Sequence, residues 1–580
     1  MKKNNAAKII LTGFYILFTL LTGGLFILSI ARPQNYLSSA RMGIQTVVFA
    51  FLFAGVMYLW RRFAPAFLSS PKVFIPLAAV YWIFLYLVCA IHGNAYHVVG
   101  DYEILYISAL ELADGKELSF AHYFMTYGNN VGPMILLAGI FRICHMLRIN
   151  EFYPTLVVTS ATVAGSIWAV GELLTGRVFS EKTVTGKNAS KETKASLKET
   201  RKVNYRIPVL IYTAFCLPVY VFTGAFYTDT LSFGLGVIAV ALIKLSFSKK
   251  NAEWLMVLAG FLTVIGGIWK ITTLIFLIAV FLTWVLYLLA NLKKTGKQSD
   301  VVRDMSKQGR TDELWPENGE KTRNKIPGER TGIVKRIILY AVSIVLFTIF
   351  ISLIFSSFTI YKDSKRYANP TSAWLALGMR GNGSYAENVE FSDAVNALST
   401  KEEKSAFVKE YIKNHISESF TLEHILSKAQ NNFAGGTFTC SDFTANPSGH
   451  SVLWEMMDPG GRYYYGCSGY AFSYVVMMYL LFAVGGVCAI MRLVKGDSDS
   501  EESPGKTGQE EGKEISTVCG LPFFKIAADV SFFGLFVFLM IWESNNRQLY
   551  NQLPVMILGL FSGVDFLLES AGRMIKKESK

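Results

Sequence analysis

Residues 73–92 read VFIPLAAVYWIFLYLVCAIH, and the loop that follows carries GDYE at 100–103. A run of that length without Asp, Glu, Lys or Arg is what one helix needs to cross the hydrocarbon core of a bilayer. Similar runs recur at 8–31, 42–60, 131–149, 153–175, 207–226, 230–247, 254–269, 271–291, 337–358, 468–493, 521–542 and 551–568. The chain therefore reads as an all-α polytopic membrane protein with about 12–13 hydrophobic segments. Its 580 residues are 52% hydrophobic and 14% aromatic, which excludes an ordinary soluble globule. Carboxylates placed just outside a bilayer point to chemistry on a lipid-borne substrate at the membrane face.

The net charge of +13 is localised. Lys and Arg gather at 177–206, 293–336 and 573–580, each beside an apolar run, as cytoplasmic loops do. This pattern speaks for topology and anionic-lipid contact, not for nucleic acid. With Lys2 and Lys3 inside, the third segment exits outward and Asp101 lies outside. The basic loop 177–206 must then be inside, although two segments separate it from Asp101. One of them does not cross independently, and 131–149, interrupted by Arg142 and His145, is the candidate for a half-inserted or re-entrant piece. Tyr227–Asp229, Trp269–Lys270, 361–466 and Glu543–Arg547 then fall outside, and the chain is a multi-pass plasma-membrane protein with its polar site extracytoplasmic.

The domain plan is two spans in 1–72, a core at 73–358, an extracytoplasmic α-rich domain at 359–466, and further spans with a basic tail at 467–580. The core carries an outer loop at 93–130 and cytoplasmic inserts at 177–206 and 292–336. Polar, apolar-poor stretches at 180–204, 295–333 and 496–515 read as disordered inserts. In the outer domain, 402–428 reads as one helix, flanked by loops at 369–384 and 435–466. Cys440 and Cys467 share that domain's end and are candidates for a disulfide; the seven cysteines have no zinc spacing. No internal repeat is visible, which weighs against an inverted-repeat transporter.

The candidate chemistry sits on the outer side. Asp101 opens an amphipathic stretch, either as a helix cap or as a functional acid, with Glu103 two residues on. The strip Tyr123–Asn130 includes Tyr127, Asn129 and Asn130, side chains that serve either as interfacial anchors or as partners for sugar hydroxyls. Asp229 precedes one apolar run, as a cap or an acid. Lys270 lies between two runs with almost no loop, where a cation must snorkel or meet an anion. Arg547, four residues after Glu543, offers a planar fork suited to phosphate or to an internal ion pair.

In that order these residues resemble the GT-C glycosyltransferases, polytopic enzymes related to protein O-mannosyltransferases and aminoarabinose transferases. The likeness is closest to family 39-like membrane proteins of Gram-positive bacteria. It rests on Asp101 with Ala109–Gly115, on Tyr123–Asn130, on Tyr227-Thr228-Asp229, and on Gly266–Lys270. It continues through Trp374–Tyr385, through Lys428 with Gly436-Thr437-Phe438, and through Glu543, Arg547, Tyr550 and Pro554, covering roughly residues 73–570. The chain departs from the family pattern in two places. Gln548 and Leu549 stand between Arg547 and Tyr550, and Gly378-Met379 reverses the family's Met-Gly order.

The resemblance implies a GT-C-like core that moves a sugar from a polyprenyl-phosphate donor, with inversion, to a cell-envelope glycan, lipid or protein acceptor. It makes Asp101 the base, Glu103 its reserve, and Asp229 an acid that orients the acceptor or holds a cation. Lys270 and Arg547 would bind the donor phosphate, and Tyr127, Asn129, Asn130 and Trp374 the sugars. The outer domain would close over the groove. Family members differ in metal dependence, which leaves a divalent cation open. The rival readings are a lipid-linked-sugar flippase or other transporter, and a non-catalytic scaffold.

Overall fold

The computed structural model describes residues 4–33, 39–93, 96–97, 100–175, 204–249, 251–307, 326–444, 446–447, 451–495 and 517–578. The expected inserts at 180–204 and 496–515 lie outside the described residues, apart from Asn204. That at 295–333 is described only at its flanks, which are helical.

The helices in order are α1 (Asn4–Ala31), α2 (Ser39–Phe63), α3 (Pro71–Gly93), α4 (Asp101–Asp114), α5 (Ala121–Thr126), α6 (Val131–Met146), α7 (Phe152–Leu174) and α8 (Arg206–Ala214). Next come α9 (Leu217–Thr223), α10 (Thr228–Leu231), α11 (Leu235–Ser248), α12 (Trp254–Trp269), α13 (Leu274–Lys307) and α14 (Ile326–Ser356). The region expected outside, 359–466 (here the outer region), holds α15 (Thr359–Tyr367), α16 (Ser372–Leu377), α17 (Val389–Asn396), α18 (Lys401–His415), α19 (Leu422–Phe433) and α20 (Val452–Met457). The chain closes with α21 (Tyr464–Lys495), α22 (Phe523–Ile541) and α23 (Arg547–Glu578). Among the described residues, ten helices are long and apolar enough to cross a membrane. The protein is an all-α, multi-pass membrane protein.

Three of the thirteen expected segments are not among these ten. The 207–226 run is α8 and α9 bent by 76°, with Pro218 in the first turn of α9, where its missing N–H costs nothing. Helix α12 has 16 residues, about 24 Å at 1.5 Å per residue. The third case is α6. Its first turn lies beside the polar cavity described below. At its other end His145 Nδ1 meets Asp114 Oδ1 at 3.0 Å and His145 Nε2 meets Glu151 Oε2 at 3.4 Å, next to the start of α7. Helix α6 is not among the helices long and apolar enough to cross a membrane. Ile143, Met146 and Leu147 are exposed along it, as befits a helix lying on the interface.

The long helices alternate in direction. Glu172 near the end of α7 bonds Arg206 at 2.5 Å, and Arg61 at the end of α2 bonds Asp565 at 2.5 Å. Arg336 pairs with Glu253 at 3.7 Å. These pairs mark one face. The starts of α10, α13 and α23 and the end of α22 mark the other.

The crossing that begins with α10 is broken at Ser232–Gly234, where Gly234 has φ +67°. A left-handed residue there frees backbone groups within the membrane, and these need partners. The chain's own turns supply them, as Leu235 N donates to Ser232 O at 3.2 Å, and side chains of α23 brace the break. Asn551 Nδ2 donates to Ser232 Oγ at 2.5 Å, and Gln552 Nε2 donates to Thr272 O at 2.7 Å, fastening the starts of α10, α13 and α23 together.

The outer region differs from expectation in three ways. The helix expected over 402–428 is two helices, α18 and α19, because Thr421 accepts from His424 N and caps a fresh start. The flanks expected to be loops contain α16 and α20, short helices in which Ala373 and Leu377, and Leu453 and Met457, are buried. Cys440 and Cys467 are both free thiols; Cys440 is fully buried in the apolar core. The region is tied to the outer loop by an antiparallel pair, Tyr96–His97 with Asn446–Pro447.

Candidate functional site at one membrane face

Where the broken crossings meet the outer region, a cavity of about 1100 Å³ opens. Asp101, Tyr127, Asn129, Asn130, Lys270, Trp374 and Arg547 all line it. Glu103 does not. It is exposed two residues further along α4, and two residues turn a helix by about 200°, away from the cavity.

Asp101 is the first residue of α4, after the cap Gly100, and makes no capping bond. Its Oδ2 accepts from Tyr227 Oη at 3.3 Å. Burial and the Asp101 carboxylate raise the Tyr227 phenol well above its ordinary range, so it stays a donor. Beside it, Asn130 Nδ2 donates to Tyr123 Oη at 2.6 Å and Asn129 Nδ2 to Asn130 Oδ1 at 3.1 Å. The Tyr127 ring lies 6.0 Å from that of Trp374, and Tyr127 Oη accepts from Asn396 at 3.4 Å.

Asp229 sits within α10 and is not its cap. It is fully buried behind the cavity wall, with Lys270 Nζ 2.6 Å from Oδ1. Neither carboxylate oxygen has a hydrogen bond, so the Lys270 ammonium is what compensates its charge. Lys270 is thus held by an internal anion, where the sequence had suggested a lipid phosphate. Among the described residues, no group of three or more His, Cys, Asp or Glu is placed to hold a metal.

Arg547 finds Asp442, not Glu543: its Nη1 lies 3.5 Å from Asp442 Oδ2. Its guanidinium also faces the rings of Tyr227 at 5.6 Å and Phe443 at 5.9 Å. Asp442 escaped sequence reasoning because it lies in an aperiodic stretch. Its one signal was isolation, for no other Asp, Glu, Lys or Arg stands between Lys428 and Glu455. Burial raises its carboxyl above the ordinary range, with Arg547 pulling it back.

Glu543 lines the cavity, and burial pushes it up to about 7 against the pull of Arg547 and Lys270. Behind it, Lys428 is fully buried, donates to Gly378 O at 2.6 Å, and is drawn down to about 7 by burial. The two act on stability in opposite windows. From 4.5, where the unfolded Glu543 ionises, to about 7, the folded state keeps a proton the unfolded chain has lost, so stability falls as pH rises. From about 7 to 10.5 the unfolded Lys428 keeps a proton the folded one lacks, so stability rises. Thermal unfolding in detergent should show the first decline, about 2 kcal/mol after discounting for partial exposure. In Glu543→Gln it should be absent; an unchanged decline would assign it to another group.

No protein-family model matches the chain, and neither does any curated protein or solved structure. Fold and site define a polytopic helical membrane protein with a large, ionically rich cavity at one membrane face.

Proposed function

We propose that the protein is a GT-C-type membrane glycosyltransferase using a polyprenyl-phosphate sugar. The observation that carries this reading is the cavity itself. It gathers a membrane-face carboxylate (Asp101), a phenol donor (Tyr227), two cations (Lys270 and Arg547) and an aromatic–amide wall beside helix ends reachable from lipid. Arg492 and Lys495 end α21 on the opposite face, which under the positive-inside rule supports an extracytoplasmic cavity.

In this reading the acceptor hydroxyl attacks the anomeric carbon, its proton passes to Asp101, and the phosphate leaves with the bond pair. Arg547 and Lys270 stabilise the departing charge. A transporter would place ionisable groups along a path through the midplane. The buried pair Lys525–Asp529 is instead in the first two turns of α22, apart from the cavity lining, and Tyr15 Oη donates to Asp529 at 3.0 Å. The test is transfer of radiolabelled sugar from polyprenyl-phosphate donors by the protein in nanodiscs, with membrane extract as acceptor source. Failure with every donor, in folded protein, would move the reading to a flippase.

Each cation already has a carboxylate, and a phosphate at Arg547 competes with the one that can move. Asp229 cannot move, whereas the Asp442 side chain is 44% exposed. Asp442 then occupies the phosphate position at Arg547 until donor arrives. Asp442→Asn should tighten binding of a polyprenyl phosphate by about tenfold, the equivalent of 1.4 kcal/mol. Weaker binding would mean that Asp442 instead orients Arg547.

A further inference from the structure

The cavity has two chemically different ends. Asp101, Lys270, Asp442 and Arg547 form one. The other is walled by Asn382, Asn431, Asn545 and Asn546, with Trp374 and Tyr385, and Glu543 adjoins them. This wall is built rather than incidental. Ser544 N donates to Gly383 O at 2.8 Å, Asn431 Nδ2 to Ser544 Oγ at 3.0 Å, and Asn545 N to Asn432 Oδ1 at 3.0 Å. Asn546 Nδ2 donates to Asn432 O at 2.6 Å. These bonds lock the 382–385 loop, α19 and the 543–546 segment into one surface.

Within it one polar atom has no partner, Asn546 Oδ1, in a cavity-lining residue that is 4% exposed. A buried amide acceptor left unmatched costs free energy unless a ligand meets it. Fixed amide planes offer a donor and an acceptor side by side, as vicinal hydroxyls require. The aromatic faces suit the C–H face of a pyranose ring.

We infer that this end is the acceptor subsite and that its ligand is a carbohydrate, a glycan terminus presenting free vicinal hydroxyls. The inference rests on the glycosyltransferase reading for its place in catalysis, but not for the binding it foresees. A glycan seated there directs one hydroxyl toward Asp101 at the ionic end. That oxygen forms the new bond to the anomeric carbon as the bond to the donor phosphate oxygen breaks.

The test uses the full chain in nanodiscs and saturation-transfer NMR. The probes are methyl glycosides of hexoses and N-acetylhexosamines, with a Ser/Thr-containing heptapeptide alongside. Glycosides should receive saturation from wild type and from Asp101→Asn. Binding should weaken by about tenfold in Trp374→Ala and in Asn546→Leu, the first variant guarding against misfolding of the second. Peptide binding that these variants abolish, glycoside binding that they leave untouched, or no glycoside binding at millimolar concentration would each overturn the inference. Glycoside binding without sugar transfer from any donor would keep the subsite and end the transferase reading. Transfer to peptide alone would do the reverse.

Discussion

Asp101→Asn should lower sugar transfer by about 10²- to 10⁴-fold, the usual worth of a positioned general base. Binding of the polyprenyl-phosphate donor should change little. The amide keeps the shape of the carboxylate and can still accept from Tyr227 Oη, which lies 3.3 Å from Asp101 Oδ2. What it loses is basicity. The two cations have their own carboxylates, Asp229 and Asp442, so removing the Asp101 charge leaves neither of them unpaired. Glu103→Gln is the matched control. Glu103 is exposed and absent from the cavity wall, so its loss should change transfer by no more than about twofold. Equal losses in both variants would point to a general effect on the outer loop. Intact transfer in Asp101→Asn would remove Asp101 as the base.

The spans were legible because each is a nearly continuous apolar run, and hydrocarbon leaves the backbone few alternatives to a helix. Even the anomaly of α6 was visible, since Arg142 and His145 spoil its apolar run. Its resting place was not legible, because the bridge from His145 to Asp114 and Glu151 is a tertiary fact. The site was readable residue by residue where a charge interrupted apolar sequence, as at Asp229, Lys270 and Arg547. How those charges pair was not. Asp229 and Lys270 belong to different crossings, and Arg547 reaches Asp442 from an irregular loop that offers no periodicity. The break between α18 and α19 was missed because apolar spacing continues across it, while one side-chain cap at Thr421 decides the geometry.

Lys270→Met should destabilise the fold by about 3–5 kcal/mol, the cost of leaving a buried carboxylate uncompensated. Asp229 is fully buried, its oxygens have no hydrogen bond, and Lys270 Nζ at 2.6 Å is its counter-charge. The reverse change should be milder. In Asp229→Asn the lysine, 20% exposed at the cavity wall, can turn its ammonium toward water, at a cost of about 1–2 kcal/mol. The double variant Asp229→Asn/Lys270→Met removes both charges and should regain most of the stability lost in Lys270→Met, as contacting residues are non-additive. Activity should not return with it, because the donor phosphate would still lack one of its two cations. Thermal unfolding of the four proteins, read against sugar transfer, therefore separates the two roles of Lys270. A double variant that regains both stability and transfer would confine Lys270 to holding Asp229. A Lys270→Met variant as stable as Asp229→Asn would show that the carboxylate is not held as a buried charge, and the ionic end of the cavity would need a different account.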